Sequence, residues 1–318
     1  MPEPRPFRFG AAADAATTRA EWVARARRAE ALGYAVLVVP DHFGAILFPP
    51  IAALMAAADA TTTIRVASYV FDNDFRHPAV LAREAAALDL LSDGRLELGI
   101  GAGWDPDDYT QMGLPLDSPG RRIERLAESL TILRRFFTEE TVTFAGQHYQ
   151  VRELVAAPKP VQRPHPPFFI GGGGQRLLTL AGREADIVGL HFKISADGTV
   201  PASERTEEAL AQKIAWVRAA AGERFAAIEL NLLLNAVVVT DDRAQAADTI
   251  ARDIIARRGP GSITPADVLA SPYWLIGSVD EIAGQLVRLR AAHGISYWTL
   301  RTPDVEPLAP VVARLAGK

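Results

Sequence analysis

Residues 76–104 read RHPAVLAREAAALDLLSDGRLELGIGAGW. Pro78 suits the first turn of a helix, where its missing N–H costs nothing, and Leu81, Ala85, Leu88 and Leu91 recur at helical spacing on one face. Ser92, Asp93 and Gly94 end that helix. Leu96, Leu98 and Ile100 then alternate with Arg95, Glu97 and Gly99, which is the period of a strand, before Gly101 and Gly103 let a backbone approach something closely. A helix that feeds straight into such a strand indicates α/β architecture, with the chemistry at the glycine-rich exit.

Outward from this unit the same alternation covers most of the chain. Strand candidates lie at residues 7–12, 35–39, 64–71, 95–100, 167–170, 186–190, 228–239 and 295–300, several of them continuously apolar as a strand covered on both faces requires. Helix candidates separate them at 19–32, from Pro78 onward, and at 121–137, 207–221, 243–257 and 279–292. Ser278 and Glu281 form a capping box for the last of these. Eight parallel strands with helices between them predict a (β/α)8 barrel with insertions after strands, whose site gathers on the loops that follow the strands. A doubly wound sheet is the competing reading; it is disfavoured because no GxGxxG opens the first helix and the polar motifs follow several different strands. Alternation aims Glu97 into the barrel interior, where it needs a partner. Residues 141–151 read as a hairpin, followed by a proline-rich connection, while 193–205 and 258–272 are long loops suited to act as lids.

Composition narrows the function. The chain has 318 residues, a formal net charge of −4 and no cysteine, which excludes disulfides and thiolate chemistry and argues against a nucleic-acid surface. A small-molecule substrate is the expected partner. The opening MPEPRPFRFG lacks the apolar run of a signal peptide, and the longest apolar stretch, near 230–239, is too short to span a bilayer. A cytoplasmic protein, read as one domain over 1–318, is therefore expected.

Four stretches carry candidate chemistry. FFIGGGGQR, ending at Arg176, sets four glycines between a strand and a helix; this is a ready phosphate cradle, or else a flexible turn. VVPDHFG puts Asp41 and His42 just beyond a buried strand, as proton-handling groups or as a helix cap and a structural hydrogen bond. GIGAGWDPDDY offers glycines that admit a planar ligand and Trp104 to wall it, or a tight turn with a core tryptophan. Asp105, Asp107 and Asp108 are read as a solvated helix start, with no metal expected. In SYVFDNDFRHP, Asn73 could bond a heterocycle or form an Asx turn, and His77 reads as a cap. His191, just after a strand, is a possible pocket residue.

Taken together, LGYAVLVVPDH, the 76–104 stretch, GRRIERLAESLTILRRFF, APKPVQRPHPPFFIGGGG and LIGSVDEIAGQLVRLRAAHGI resemble the luciferase-like monooxygenase superfamily, and within it the branch using the deazaflavin coenzyme F420. The resemblance implies a TIM barrel, often dimeric, that holds a flavin or deazaflavin at the C-terminal ends of its strands. Gly172, Gly173, Gly174 and Arg176 would then hold the cofactor phosphate, Ala102, Gly103 and Trp104 would line the ring, and Asn73 would join them. Asp41 and His42 match a pair in many deazaflavin members, with His42 as proton donor or acceptor. A non-proline cis peptide would fall within residues 69–72. Some sugar-phosphate-oxidising relatives carry a glutamate at the position of Trp104, so that activity is not expected. The implied function is F420-dependent hydride transfer to an activated C=C, C=N or C=O, with a separate reductase regenerating the cofactor. The alternatives are an FMNH2-dependent monooxygenase using O2 and a non-catalytic flavin-binding barrel.

Overall fold

The computed structural model describes residues 4–318 apart from 14–15, 44–47, 196–198 and 260–261. Gly44 of the VVPDHFG motif and parts of both candidate lid loops therefore lie outside the described residues. The elements run β1 (Arg8–Ala12), α1 (Arg19–Ala31), β2 (Val36–Val39), α2 (Pro50–Ala60), β3 (Arg65–Ser68), β4 (Phe71–Asp72), α3 (Pro78–Leu91), β5 (Leu96–Gly101), α4 (Pro106–Met112), α5 (Pro119–Thr138), β6 (Thr141–Ala145) and β7 (Gln150–Val155). They continue with β8 (Phe168–Gly172), α6 (Gln175–Glu184), β9 (Ile187–Leu190), α7 (Glu207–Ala221), β10 (Glu229–Leu233), β11 (Ala236–Val239), α8 (Arg243–Arg258), α9 (Pro265–Ala270), β12 (Trp274–Gly277), α10 (Val279–His293), β13 (Ile295–Leu300) and α11 (Val305–Leu315).

The order β3-β2-β1-β13-β10-β9-β8-β5, closed by a β3–β5 pairing, makes an eight-stranded parallel barrel with helices around it, which is a TIM barrel. Every barrel strand falls within or beside a segment whose apolar pattern predicted it. Val36, Val38, Ala67, Phe169, Ile187 and Tyr297 form an apolar cluster inside the barrel, and a larger core lies between its outer face and the helices. Burial on both faces is why these strands read as unbroken apolar runs.

Two predicted strands are divided. The segment at 64–71 stops at Ser68, passes a non-prolyl cis peptide at Tyr69–Val70 and resumes as β4. The displaced backbone fits because β5 has no side chains there. A Cβ on Gly99 would lie 1.9 Å from the Ser68 carbonyl oxygen, and one on Gly101 2.7 Å from Val70. The segment at 228–239 breaks after β10, and β11 leaves the barrel to pair in parallel with β12. A continuous apolar run gives no sign of such a change of partner. The 141–151 hairpin is present as β6 and β7, with β7 extending to Val155. Helices α2, α9 and α11 add to those expected, and α4 is the short helix whose start was read at Asp105–Asp108.

Local chemistry explains several boundaries. The Ser278–Glu281 capping box is formed, and Gly294, at φ +74°, caps the far end of α10. Glu30 at the end of α1 accepts from the backbone N–H groups of Thr62, Thr63 and Ile64 and from the Thr63 hydroxyl, at 2.6–3.0 Å. Burial pushes the Glu30 carboxyl up, but the backbone donors of Thr63, Ile64 and Thr62 outweigh it and bring the pKa down to about 2. A folded value below the unfolded one means that the stabilisation is full above the ordinary glutamate range and disappears as pH falls towards 2. The Glu30→Gln variant is therefore expected to lose stability at neutral pH and to differ least from the parent in strong acid, measured by urea unfolding at pH 7, 4 and 3.

At the N-terminal end of the barrel Glu97 finds the partners its position demanded. It is 1% exposed and pairs with Arg8 and with Arg65 Nε, the latter at 2.8 Å. Arg8 also meets Glu229 at 2.5 Å and lies 4.6 Å over the Tyr297 ring. This ionic floor closes the end of the barrel opposite the strand exits. Among the described residues no helix is long and apolar enough to cross a membrane.

Candidate active site at the strand exits

His42 leaves the end of β2 with its imidazole held by an aspartate 66 residues further on. His42 Nδ1 lies 2.5 Å from Asp108 Oδ2, while Asp108 Oδ1 accepts from Phe43 N–H at 2.8 Å. The imidazole also meets the Trp104 indole edge-on, with ring centroids 5.6 Å apart. Asp108 is only 4% exposed, which corrects its reading as part of a solvated helix start. Asp105 does have that role, since it is the N-cap of α4 and accepts from Asp107 N–H at 3.0 Å. Ligand atoms of His42, Asp105 and Asp108 lie within 4.8 Å of one another, and a hydrogen bond joins His42 to Asp108. Nothing in the sequence spacing pairs Asp108 with His42, because the contact spans two strand exits.

Asp41 stands in a different setting from His42. Its carboxylate pairs with Arg76, at 2.5 and 3.3 Å, and accepts from Asp72 N–H at 3.1 Å. It thereby ties the end of β2 to β4 and to the chain entering α3. Asp72, which the sequence reading passed over, accepts from Asp74 N–H and from the Tyr109 hydroxyl. Burial first, then the nearby charges of Asp74 and Asp41, push its carboxyl up to about 6. Arg125 holds Asp74 and Asp117 at the rim of the same group.

The residues expected to line a cofactor ring rest on this group. Ala102 is buried, and Gly103 has φ +73° with a would-be Cβ 2.1 Å from the Tyr109 hydroxyl and 2.3 Å from Asp72 Oδ2. Only glycine fits there. Trp104 is half exposed and is not a core tryptophan. Asn73 is buried, and its Nδ2 donates at 3.1 Å to the hydroxyl of Tyr149, just before β7. His77 caps α3, as expected.

Gly172 closes β8, Gly173 follows it and Gly174 is the N-cap of α6, which has no side-chain cap bond, so its first N–H groups are open. A Cβ on Gly173 would strike the backbone of Phe192 and Lys193 at 2.2–2.5 Å, while the space beside Gly174 is empty to 4 Å. Arg176 is largely exposed and paired with Glu124 at 2.7 Å. Its guanidinium lies against Gly120 in the first turn of α5. Arg122, in that same turn and 7% exposed, has Nε and Nη1 buried without an acceptor among the described residues. An open N-terminus and underused guanidinium donors fit a phosphate group. The two long loops meet each other: Ser271 Oγ donates to the Arg205 carbonyl at 2.5 Å, and Arg205 donates to the Ser262 carbonyl at 3.4 Å.

Replacing Asp108 by asparagine removes the charge that holds His42. A bond to a charged group is worth about 1.5–3 kcal/mol, so kcat should fall roughly tenfold to a hundredfold with thermal stability little changed. Steady-state kinetics beside a melting curve checks this.

The barrel carries four glycines between a strand and a helix and a histidine at its mouth, and the chain is a member of the luciferase-like monooxygenase family, whose family profile matches residues 5–294. It is 34% identical over 173 residues to an uncharacterized protein of Mycobacterium tuberculosis (48% of this chain, 60% of that protein). It is 26% identical over 204 residues to the FMNH(2)-dependent dimethylsulfone monooxygenase of Pseudomonas putida (64% of this chain, 52% of that protein). The chain thus spans little more than half the length of these curated relatives. The coenzyme F420-dependent tetrahydromethanopterin reductase from Methanopyrus kandleri superposes with a TM-score of 0.77 at 17% identity, covering 99% of each chain. Proteins of this fold and family thus include both F420-dependent oxidoreductases and FMNH2-dependent monooxygenases.

Proposed function

We propose that the protein is an F420-dependent oxidoreductase that transfers hydride between the deazaflavin and a small organic substrate with an activated C=C, C=N or C=O. The observation that carries this reading is His42 at the barrel mouth, oriented by Asp108 and edge-on to Trp104. Reduction of a double bond needs a proton as well as a hydride, and a positioned imidazole delivers one near neutral pH.

In this reading the deazaflavin, when bound, supplies the hydride. The first turn of α6 and Gly172–Gly174 bind the phosphate, Arg176 and Arg122 contribute charge, and Ala102, Gly103 and Trp104 wall the ring. His42 holds or takes the proton on Nε2 while Asp108 keeps Nδ1 occupied. Asp41 acts at one remove, fixing the strand exits through Arg76 and Asp72. We further propose a homodimer served by a separate reductase. The similarity to the dimethylsulfone monooxygenase favours FMN as the second reading, with the same cradle holding its phosphate.

The test is titration of the purified protein with F420 and with FMN in each redox state, followed by fluorescence quenching or heat. Tight F420 binding with weak FMN binding supports hydride transfer. Preference for reduced FMN moves the assignment to the monooxygenase, and binding of neither removes both.

A further inference from the structure

Three carboxylates, those of Asp41, Asp72 and Asp74, crowd the exits of β2 and β4, and two of them have a cation of their own. Asp41 pairs with Arg76 at 2.5 Å, and Asp74 takes both Nε and Nη2 of Arg125, at 2.9 and 2.5 Å. Asp72 is buried and forms no ion pair among the described residues. Its Oδ1 accepts from Asp74 N–H at 2.9 Å and lies 3.2 Å from the Tyr109 hydroxyl oxygen, which is also 3.0 Å from Asp74 Oδ2. The hydroxyl thus stands between two carboxyl groups.

A hydroxyl has one hydrogen to donate, so both contacts are hydrogen bonds at once only when one carboxyl brings a proton and donates it to the hydroxyl oxygen. The two donors of Arg125 keep Asp74 ionised, so that proton belongs to Asp72. Once Asp72 ionises, the hydroxyl serves one carboxylate and turns a lone pair on the other. Tyr109 is 1% exposed beside the Phe75 ring, and Asp74 is held by Arg125, so Asp72 is the group that gives. The Gly103 turn rests on both oxygens. A Cβ there would lie 2.1 Å from the Tyr109 hydroxyl and 2.3 Å from Asp72 Oδ2, so the backbone leading to Trp104 has no slack to absorb a shift.

We propose that Asp72 is a positioning residue that acts with Tyr109 and Asp74 as a proton-operated latch on the Gly103 turn: closed while Asp72 carries a proton and shares the hydroxyl with Asp74, loosened when Asp72 ionises. The wall offered by Ala102, Gly103 and Trp104 is then firmest in mild acid. Burial raises the Asp72 carboxyl most, the charges of Asp74 and Asp41 add to it, and Asp74 N–H and the Tyr109 hydroxyl oppose it, which leaves it at about 6. The other charges around the latch are engaged: Arg76 with Asp41, Arg125 with Asp74, and Asp108, next to Tyr109, with His42, while the Arg122 guanidinium lies 6.0 Å from the centre of the Tyr109 ring. A folded value above the ordinary aspartate range means that the stabilisation is full below that range and is lost as pH rises through about 6. The proposal deepens the oxidoreductase reading and rests on it for what binds against the wall, but its test needs no cofactor.

The experiment follows the fluorescence of Trp104, taken as the difference between the full chain and its Trp104→Phe variant, from pH 4.5 to pH 8.5. A transition is expected within about one unit of pH 6. Asp72→Asn, which is neutral at every pH, should abolish that transition and should melt above the parent at pH 8 but close to it at pH 5. Tyr109→Phe, which removes the shared hydroxyl, should take away about half of the amplitude or more, and it decides the matter if Asp72→Asn does not fold. A flat profile in the parent would overturn the proposal. So would a transition that survives Asp72→Asn and disappears in His42→Gln, because the imidazole lies edge-on to Trp104 and would then be its source. Failure of F420 and FMN to bind would be seen separately and would count against the oxidoreductase reading alone.

Discussion

Replacing His42 by alanine is expected to lower kcat for reduction of an activated double bond by about 10²- to 10⁴-fold, the range a positioned general acid supplies. Cofactor affinity should stay within about threefold, because the proposed phosphate cradle belongs to β8 and α6 and the imidazole touches neither. The expectation rests on His42 Nδ1 being held 2.5 Å from Asp108, which leaves one ring nitrogen for the substrate side. His42→Gln keeps polarity and size but cannot carry a proton between states, so it should be nearly as slow. Added imidazole should restore part of the alanine variant's rate. An unchanged kcat in both variants would remove His42 from the proton path, and unchanged turnover with altered affinity would make it a binding residue.

The second large effect lies at the other end of the barrel. Changing Arg8 to methionine leaves Glu229 and Glu97 without the guanidinium that joins them, with only Arg65 remaining on Glu97. Breaking a buried pair by removing one partner costs about 3–5 kcal/mol. At roughly 2–4 °C per kcal/mol, the melting temperature should fall by about 6–20 °C. Burial already raises the Glu229 carboxyl, and loss of Arg8 raises it further. A folded value above the unfolded one means that stability is lost as pH rises through it, so the gap between variant and parent should narrow in acid. Adding Glu229→Gln to the variant should recover part of the loss. Melting curves at pH 5 and pH 8 decide the matter, and a gap that does not change with pH would show that packing rather than charge was lost.

The barrel was legible because each strand is buried on both faces and so carries its own apolar signature. Two events left no trace of that kind: the departure of β11 to pair with β12, and the break in the third strand. Both depend on partners distant in sequence. Helix α2 was missed because its alanine-rich surface lies against neighbours without a strong polar face to mark the other side. Among the candidate site residues, His42, Trp104 and the Gly172–Gly174 run were picked out by residue type at strand exits. The Asp108 clamp, Asp72 and Arg122, whose Nε and Nη1 lack an acceptor among the described residues, did not, because a carboxylate's partner 66 residues away, or a donor's lack of one, is a property of the folded chain. Asp108 had one readable sign: it follows Asp107 in the first turn of a short helix that begins just after the ring-lining loop. Glu97 was the opposite case, since its position in an apolar strand required a partner before any was known.

The ionic floor also has a kinetic meaning. Among the described residues the N-terminal end of the barrel is plugged by Arg8, Glu97, Glu229 and Arg65, so a ligand reaches the interior from the strand exits. In the proposed oxidoreductase, product should therefore compete directly with substrate for free enzyme.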